Sequence, residues 1–181
     1  MNNVLQNLDL DGKRMGLREI FEKVGGMFPS TQIEISQDLP DRVTVEFAKY
    51  DAIRVKCDDG MVTLTLKIQE LQSGQQSWDK FIVRAHYRPD SHTLEANLVR
   101  QGYIELQGKR LRLVDQAALR GIFGKVFDKE RKLPLISDHI AKHPKMRDSE
   151  MTQCVMQDGW IGIALGPKRP AIISSRTVIV K

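Results

Sequence analysis

The chain has 181 residues, 41% hydrophobic and 28% charged, a balance that fits a globular domain and excludes a disordered or fibrous polymer. Its net charge of +5 is a mild basic excess, too small by itself to demand an anionic partner. Apolar runs last only a few residues, so no transmembrane helix fits.

Taken in chain order, Leu17, Ile20, Phe21 and Val24 fall at i, i+3, i+4 and i+7, which predicts a helix over 15–24 that Gly25-Gly26 stops. Strands are expected at 32–36 and 42–47. Ile53, Val55 and Cys57 then alternate with Arg54 and Lys56, and Asp59-Gly60 turns the chain into Val62, Leu64 and Leu66. That register pairs Cys57 with Val62, Val55 with Leu64 and Ile53 with Leu66. The polar stretch 72–77 reads as an exposed loop. A meander follows at 80–87, 93–100, 103–106 and 109–113, with turns at 88–91 and at Gln107-Gly108. Leu119, Ile122, Phe123 and Val126 predict a second helix, with Asp115 as its N-cap. A weaker strand is expected at 133–136. A second hairpin turns at Asp158-Gly159, pairing Met156 with Ile161 and Cys154 with Ile163, and a last strand is expected at 171–180.

Much of this pattern occurs twice. Leu17–Val24 and Leu119–Val126 agree at six of eight positions. Leu10–Met15 precedes the first copy as Leu106–Leu111 precedes the second, and Asp59–Leu66 follows as Asp158–Leu165 does. Three matched blocks in one order imply a duplicated unit. The expectation is one domain over 1–181, with repeats at about 8–66 and 104–165 joined by the meander 67–103. Its class is expected to be α+β: an internally duplicated helix plus antiparallel β-hairpin unit, two helices packed on an extensive curved antiparallel sheet. In outline this is compatible with tubular lipid-binding domains, which enclose an apolar cavity, and with roll-like folds that hold no ligand. The analogy carries over no residue.

Enzyme signatures are missing. The sequence has no Gly-rich phosphate loop, nucleophile elbow, His-Glu-x-x-His or Cys-x-x-Cys. His139 and His143 would share a helix face near Asp138, but they lack a third ligand and Pro144 ends any helix there, so no metal or cofactor is expected. His86 falls on the outer face of its strand, and His92 lies beside a turn. Cys57 and Cys154 should face the same way on their hairpins, as buried thiols or as a disulfide between repeats. Basic residues flank the second helix at Lys109, Arg110, Arg112, Lys129, Arg131 and Lys132, interspersed with Asp128 and Glu130. That favours a solvated face over a nucleic-acid surface. Met1–Gln6 lacks the basic and apolar regions of a signal peptide, so a cytoplasmic protein is the simple reading. The soluble part of an envelope protein would look the same.

The copies differ informatively. Helix one carries Glu19 and Glu22 where helix two carries Gly121 and Gly124. Each interior glycine costs roughly 0.8–1.0 kcal/mol of helix propensity relative to alanine. The back of the first hairpin holds Arg54, Lys56, Thr63, Thr65 and Lys67; that of the second holds Val155, Trp160, Gly162 and Ala164. Gly121, Gly124, Trp160 and Gly162 are therefore expected to mark a buried contact surface. It would be covered by the meander, an identical subunit, another protein or an apolar ligand. The sequence points to a non-catalytic binding or assembly module for an apolar, lipid-like ligand or a partner surface. A nucleic-acid- or polyanion-binding protein is the second reading.

Overall fold

Alternation of apolar and polar residues dominates this molecule. In the computed structural model, which describes residues 10–20, 42–91, 93–130 and 133–168, it produces nine strands. They are β1 (Arg14–Gly16), β2 (Val43–Phe47), β3 (Ile53–Asp58), β4 (Met61–Ser73), β5 (Gln76–Pro89), β6 (Asn97–Gly108), β7 (Leu133–Pro134), β8 (Ser149–Gln157) and β9 (Trp160–Pro167). Residues 17–20 are helical. Further on lie α1 (Leu113–Val126), the single turn α2 (Asp138–Ala141) and a 3₁₀ turn at Pro144–Met146.

The expected α+β unit, with two helices sharing the work of packing on a sheet, is overturned. Strands account for 53% of the described residues and helices for 19%, and the architecture is a curled antiparallel half-barrel with short helices. The reason is strand length. β4 and β5 run 13 and 14 residues and stay paired to the tip, where Ser73 faces Gln76 across a two-residue turn. The expected loop 72–77 is mostly strand. The meander also simplifies: β6 is one strand where two were expected, and 109–113 forms the turn into α1. The first helix was expected over 15–24, yet Arg14–Gly16 is strand and the helical residues start at Leu17. Helix one beyond residue 20 and the strands expected at 32–36 and 171–180 lie outside the described residues.

The main sheet has seven strands in the order β1-β2-β4-β5-β6-β7, with β3 also on β4. β4 is long enough to hold two partners along one edge: β3 pairs over Met61–Leu66, and β2 over Ile68–Ser73. Register shifts between Glu46 and Phe47 and between Arg84 and His86 add local twist, which suits the curl. The inner face is dry. Val43, Val45, Phe47, Leu66, Ile68, Leu71, Phe81, Val83 and Ile104 are all buried there.

α1 fills the curve with Leu119, Phe123 and Val126. Phe123 meets Phe81 edge-to-face, with ring centres 6.2 Å apart, and stacks on Phe127. Its N-cap is Arg112, and the expected cap Asp115 sits at the third helical position, where its carboxylate reaches back to the N-cap backbone N–H. The Asp115 carboxylate accepts from the Arg112 amide (3.0 Å) and guanidinium (2.9 Å) and from the Trp78 indole N–H (3.2 Å). Trp78 is buried in β5, so this carboxylate ties the start of the helix to the sheet. The Arg112 guanidinium first, and the indole second, hold the Asp115 carboxyl well below the usual carboxylate range.

Phe123→Ala should cost about 3–5 kcal/mol of stability. Leu113→Ala, at a position 83% exposed, should stay within about 0.5 kcal/mol in the same urea titration. Because the Asp115 carboxyl is depressed in the folded state, its contribution is full at neutral pH and is lost as pH falls below the ordinary carboxylate range. The urea midpoint should therefore drop on acidification from about pH 5 to pH 3, with a visibly shallower slope in Asp115→Asn.

Candidate functional site

The two Asp-Gly hairpins fold as their alternation dictates. Asp59 and Gly60 take φ of 50° and 68°, and Asp158 and Gly159 take 51° and 82°, the backbone of the two-residue turns whose twist matches flanking strands. Cys57 pairs with Val62, Val55 with Leu64 and Ile53 with Leu66, while Met156 pairs with Ile161 and Cys154 with Ile163, as the sequence predicts. The inner faces of the hairpins meet. Val55, Cys57, Val62, Ala85, Tyr87, Leu98 and Met156 form one buried cluster, against which Cys154, Ile161 and Phe127 pack.

Where the hairpins touch, the turns bond reciprocally. The Gly60 N–H donates to the Met156 carbonyl at 3.3 Å, and the Gly159 N–H donates to the Cys57 carbonyl at 3.0 Å. Gly60 and Gly159 are matched positions of the duplicated blocks, and Cys57 and Met156 stand at matched spacing before them. Each hairpin therefore does to the other what the other does to it, as in an isologous contact between identical subunits. Both cysteines are free, and burial pushes both thiols up, which disfavours the thiolate a nucleophile would need.

With the inner face fixed, the register sends Val155, Trp160, Gly162 and Ala164 outward. Val155 faces Gly162 across the hairpin, Gln157 faces Trp160, and Gln153 faces Ala164 after a bulge. Trp160 is 79% exposed and Val155 40%. A Cβ built on Gly162 would approach only the Val155 carbonyl, at 4.0 Å. Gly121 and Gly124 lie on α1, Gly121 exposed and Gly124 half-buried, and a Cβ on either would meet nothing within 4 Å among the described residues. The four candidate residues thus divide between two elements. α1 lies against β6 and the β8–β9 hairpin against β3, with Phe127 just past the helix joining both core clusters. No described segment of the chain closes over either glycine.

Other candidate groups are separated. Cys57 is buried on the inner face, whereas His86 lies on the outer face of β5, so they do not form a pair. His92 is outside the described residues. The His139 and His143 rings are 6.4 Å apart, and among the described residues no three metal-ligating side chains converge. Of the basic residues beside α1, Arg110 lies 3.8 Å from Asp79 and Arg112 is paired with Asp115; further on, Lys142 pairs with Asp138 and the Lys168 ammonium donates to the Arg147 carbonyl. No described helix is long and apolar enough to cross a membrane.

A cluster the sequence did not reveal lies on the outer face of β4, β5 and β6. The His86 Nδ1 is 3.0 Å from the Thr63 hydroxyl, directly across the β4–β5 ladder, and its Nε2 is 3.3 Å from a Glu105 oxygen. The β5 alternation already turns Arg84, His86 and Arg88 outward. Glu105 joins them only through an irregular β5–β6 register, which sequence spacing does not disclose. No family model, curated protein or solved structure matches the chain.

With open space at both helical glycines, Gly121→Ala and Gly124→Ala should each raise stability by about 0.5–1 kcal/mol in urea unfolding. A loss of stability in either variant would mean that this helix face is covered.

Proposed function

We propose that the chain is a non-catalytic binding or assembly module and that it docks a protein surface on the outer face of β8–β9. The observation that carries this reading is Trp160, 79% exposed beside Val155, Gly162 and Ala164 on one face of the hairpin. Tryptophan combines large apolar area with few rotatable bonds, and it is enriched among residues that dominate binding energy. Small neighbours let a partner backbone come close to the ring. An apolar ligand held inside the curl is the weaker version, because Leu119, Phe123, Val126 and Met156 already occupy the inner face. The polyanion reading is weaker too, because acidic residues are interspersed among the basic ones and the Arg112 guanidinium is already held by Asp115.

Native mass spectrometry of the chain purified from the cells that make it tests this directly. The expected result is a retained second copy or protein partner that Trp160→Glu releases while its urea midpoint stays at the wild-type value. A bare monomer in both forms overturns the reading. So does a retained small apolar molecule that Trp160→Glu leaves in place.

A further inference from the structure

The outer face of the main sheet has a feature that docking on β8–β9 does not use. Arg84 pairs with Glu105 and His86 with Gln101, so Gly102, Tyr103 and Ile104 stand opposite Ala85 alone. This wide bulge pushes β6 out of the ladder, with Gly102 at a φ of 61°. It leaves an open depression of about 410 Å³ lined by Met61, His86, Arg88, Gln101, Tyr103 and Glu105, with Gly102 at its rim. The size falls within the range of about 300–1,000 Å³ typical of small-molecule sites.

The depression is held in shape. The Ile104 carbonyl accepts from Arg120 Nε of α1, and the Gly102 carbonyl from Arg100 Nη1, both at 3.4 Å. Thr63 and Glu105 bracket the imidazole of His86 from its two nitrogens, which fixes the plane of the ring. Glu105 also has Arg84 within 3.9 Å. Arg88 differs from these. It is exposed, lines the depression, and has no carboxylate partner among the described residues. The ionisable groups lining the depression are then Arg88, His86 and a Glu105 already shared between His86 and Arg84. That leaves one cationic fork unanswered. The phenol ring of Tyr103, 88% exposed, and the thioether of Met61 supply apolar flanks.

We propose that this depression binds a small aromatic carboxylate. The guanidinium of Arg88 takes the carboxylate, its planar fork matching two oxygens at once. Tyr103 and Met61 contact the ring, and His86 with Gln101 forms the wall that orients the carboxylate end. The site is open on one side, so binding is weak and exchange is fast.

Benzoate is the probe, titrated into the full chain while nitrogen-detected imidazole signals of His86 and the methyl signal of Met61 are followed by NMR. Saturable shifts at both residues are expected. Arg88→Gln should weaken binding roughly tenfold or more, the loss of one charge-assisted contact, and Arg88→Lys should restore part of it. Tyr103→Ala should weaken benzoate while leaving the fold intact by circular dichroism. Trp160→Glu should bind benzoate as wild type does, which keeps this site separate from the β8–β9 face. Shifts that do not saturate, or that survive Arg88→Gln unchanged, overturn the proposal. Inorganic phosphate binding as tightly as benzoate overturns the assignment of an aromatic ligand.

Discussion

A curled sheet with one apolar face has to be filled from inside the curl, and everything else in this structure depends on how α1 does that. Leu119 and Phe123 are fully buried against β4, β5 and β6, and Val126 extends the stripe toward the second cluster. The helix reaches this seat through a tight exit from β6. At Gly108 an added Cβ would lie 3.0 Å from both Leu111 Cγ and Phe81 Cβ, so a side chain there would require one of them to give by a few tenths of an ångström. Leu111 then tucks beneath, and the Asp115 carboxylate anchors the first helical turn to Trp78. Helix, exit turn and sheet face are one packing problem, and the glycine and the carboxylate are its two polar or backbone constraints.

The second constraint is the contact between hairpins. A two-stranded sheet is marginal alone, so β8–β9 keeps its shape by placing Met156, Cys154 and Ile161 against the first hairpin. The reciprocal glycine-to-carbonyl bonds fix the alignment of the two turns. Because side chains alternate strictly along a strand, that alignment settles both faces of β8–β9 together: a slip of one residue would bury Trp160 and expose Met156. The outward position of Trp160 follows from what the inner face requires.

This explains what could be read in advance. Both hairpin registers were legible because Asp-Gly admits few turn geometries and an alternating strand then has one register that keeps its apolar side in. The inner stripe of α1 was legible from Leu119, Phe123 and Val126 alone. The length of β4 and β5 was not, since Gln72, Ser73, Gln76 and Ser77 are polar and their pairing rests on backbone bonds that composition does not record. Residues 109–113 alternate like a strand, yet the Asp115 carboxylate, accepting from the Arg112 amide and guanidinium, turns them into a helix start. The strand-rich balance of the fold follows from the first of these: strands that stay paired to the tip give a half-barrel. Within the candidate site, the outward quartet on β8–β9 was legible from alternation. The Thr63–His86–Glu105 cluster was hidden because a three-residue bulge separates Gln101 from Glu105.

The two hairpins carry the same inner chemistry and opposite outer chemistry. On the first, Arg54 and Lys67 share Asp51, and Lys56 holds Asp58, all at partly exposed positions. Such pairs add little stability, since water and salt screen them. Their effect is to keep that face wet and to discourage another strand from pairing with it. The second hairpin lacks these charges and puts Val155, Gly162, Ala164 and Trp160 in their place. Within the described residues the indole adds no burial to the fold, so packing in the monomer does not account for an exposed tryptophan there. A face that has given up its charges, kept small residues around one large ring, and been fixed outward by the packing behind it is what the proposed docking surface rests on.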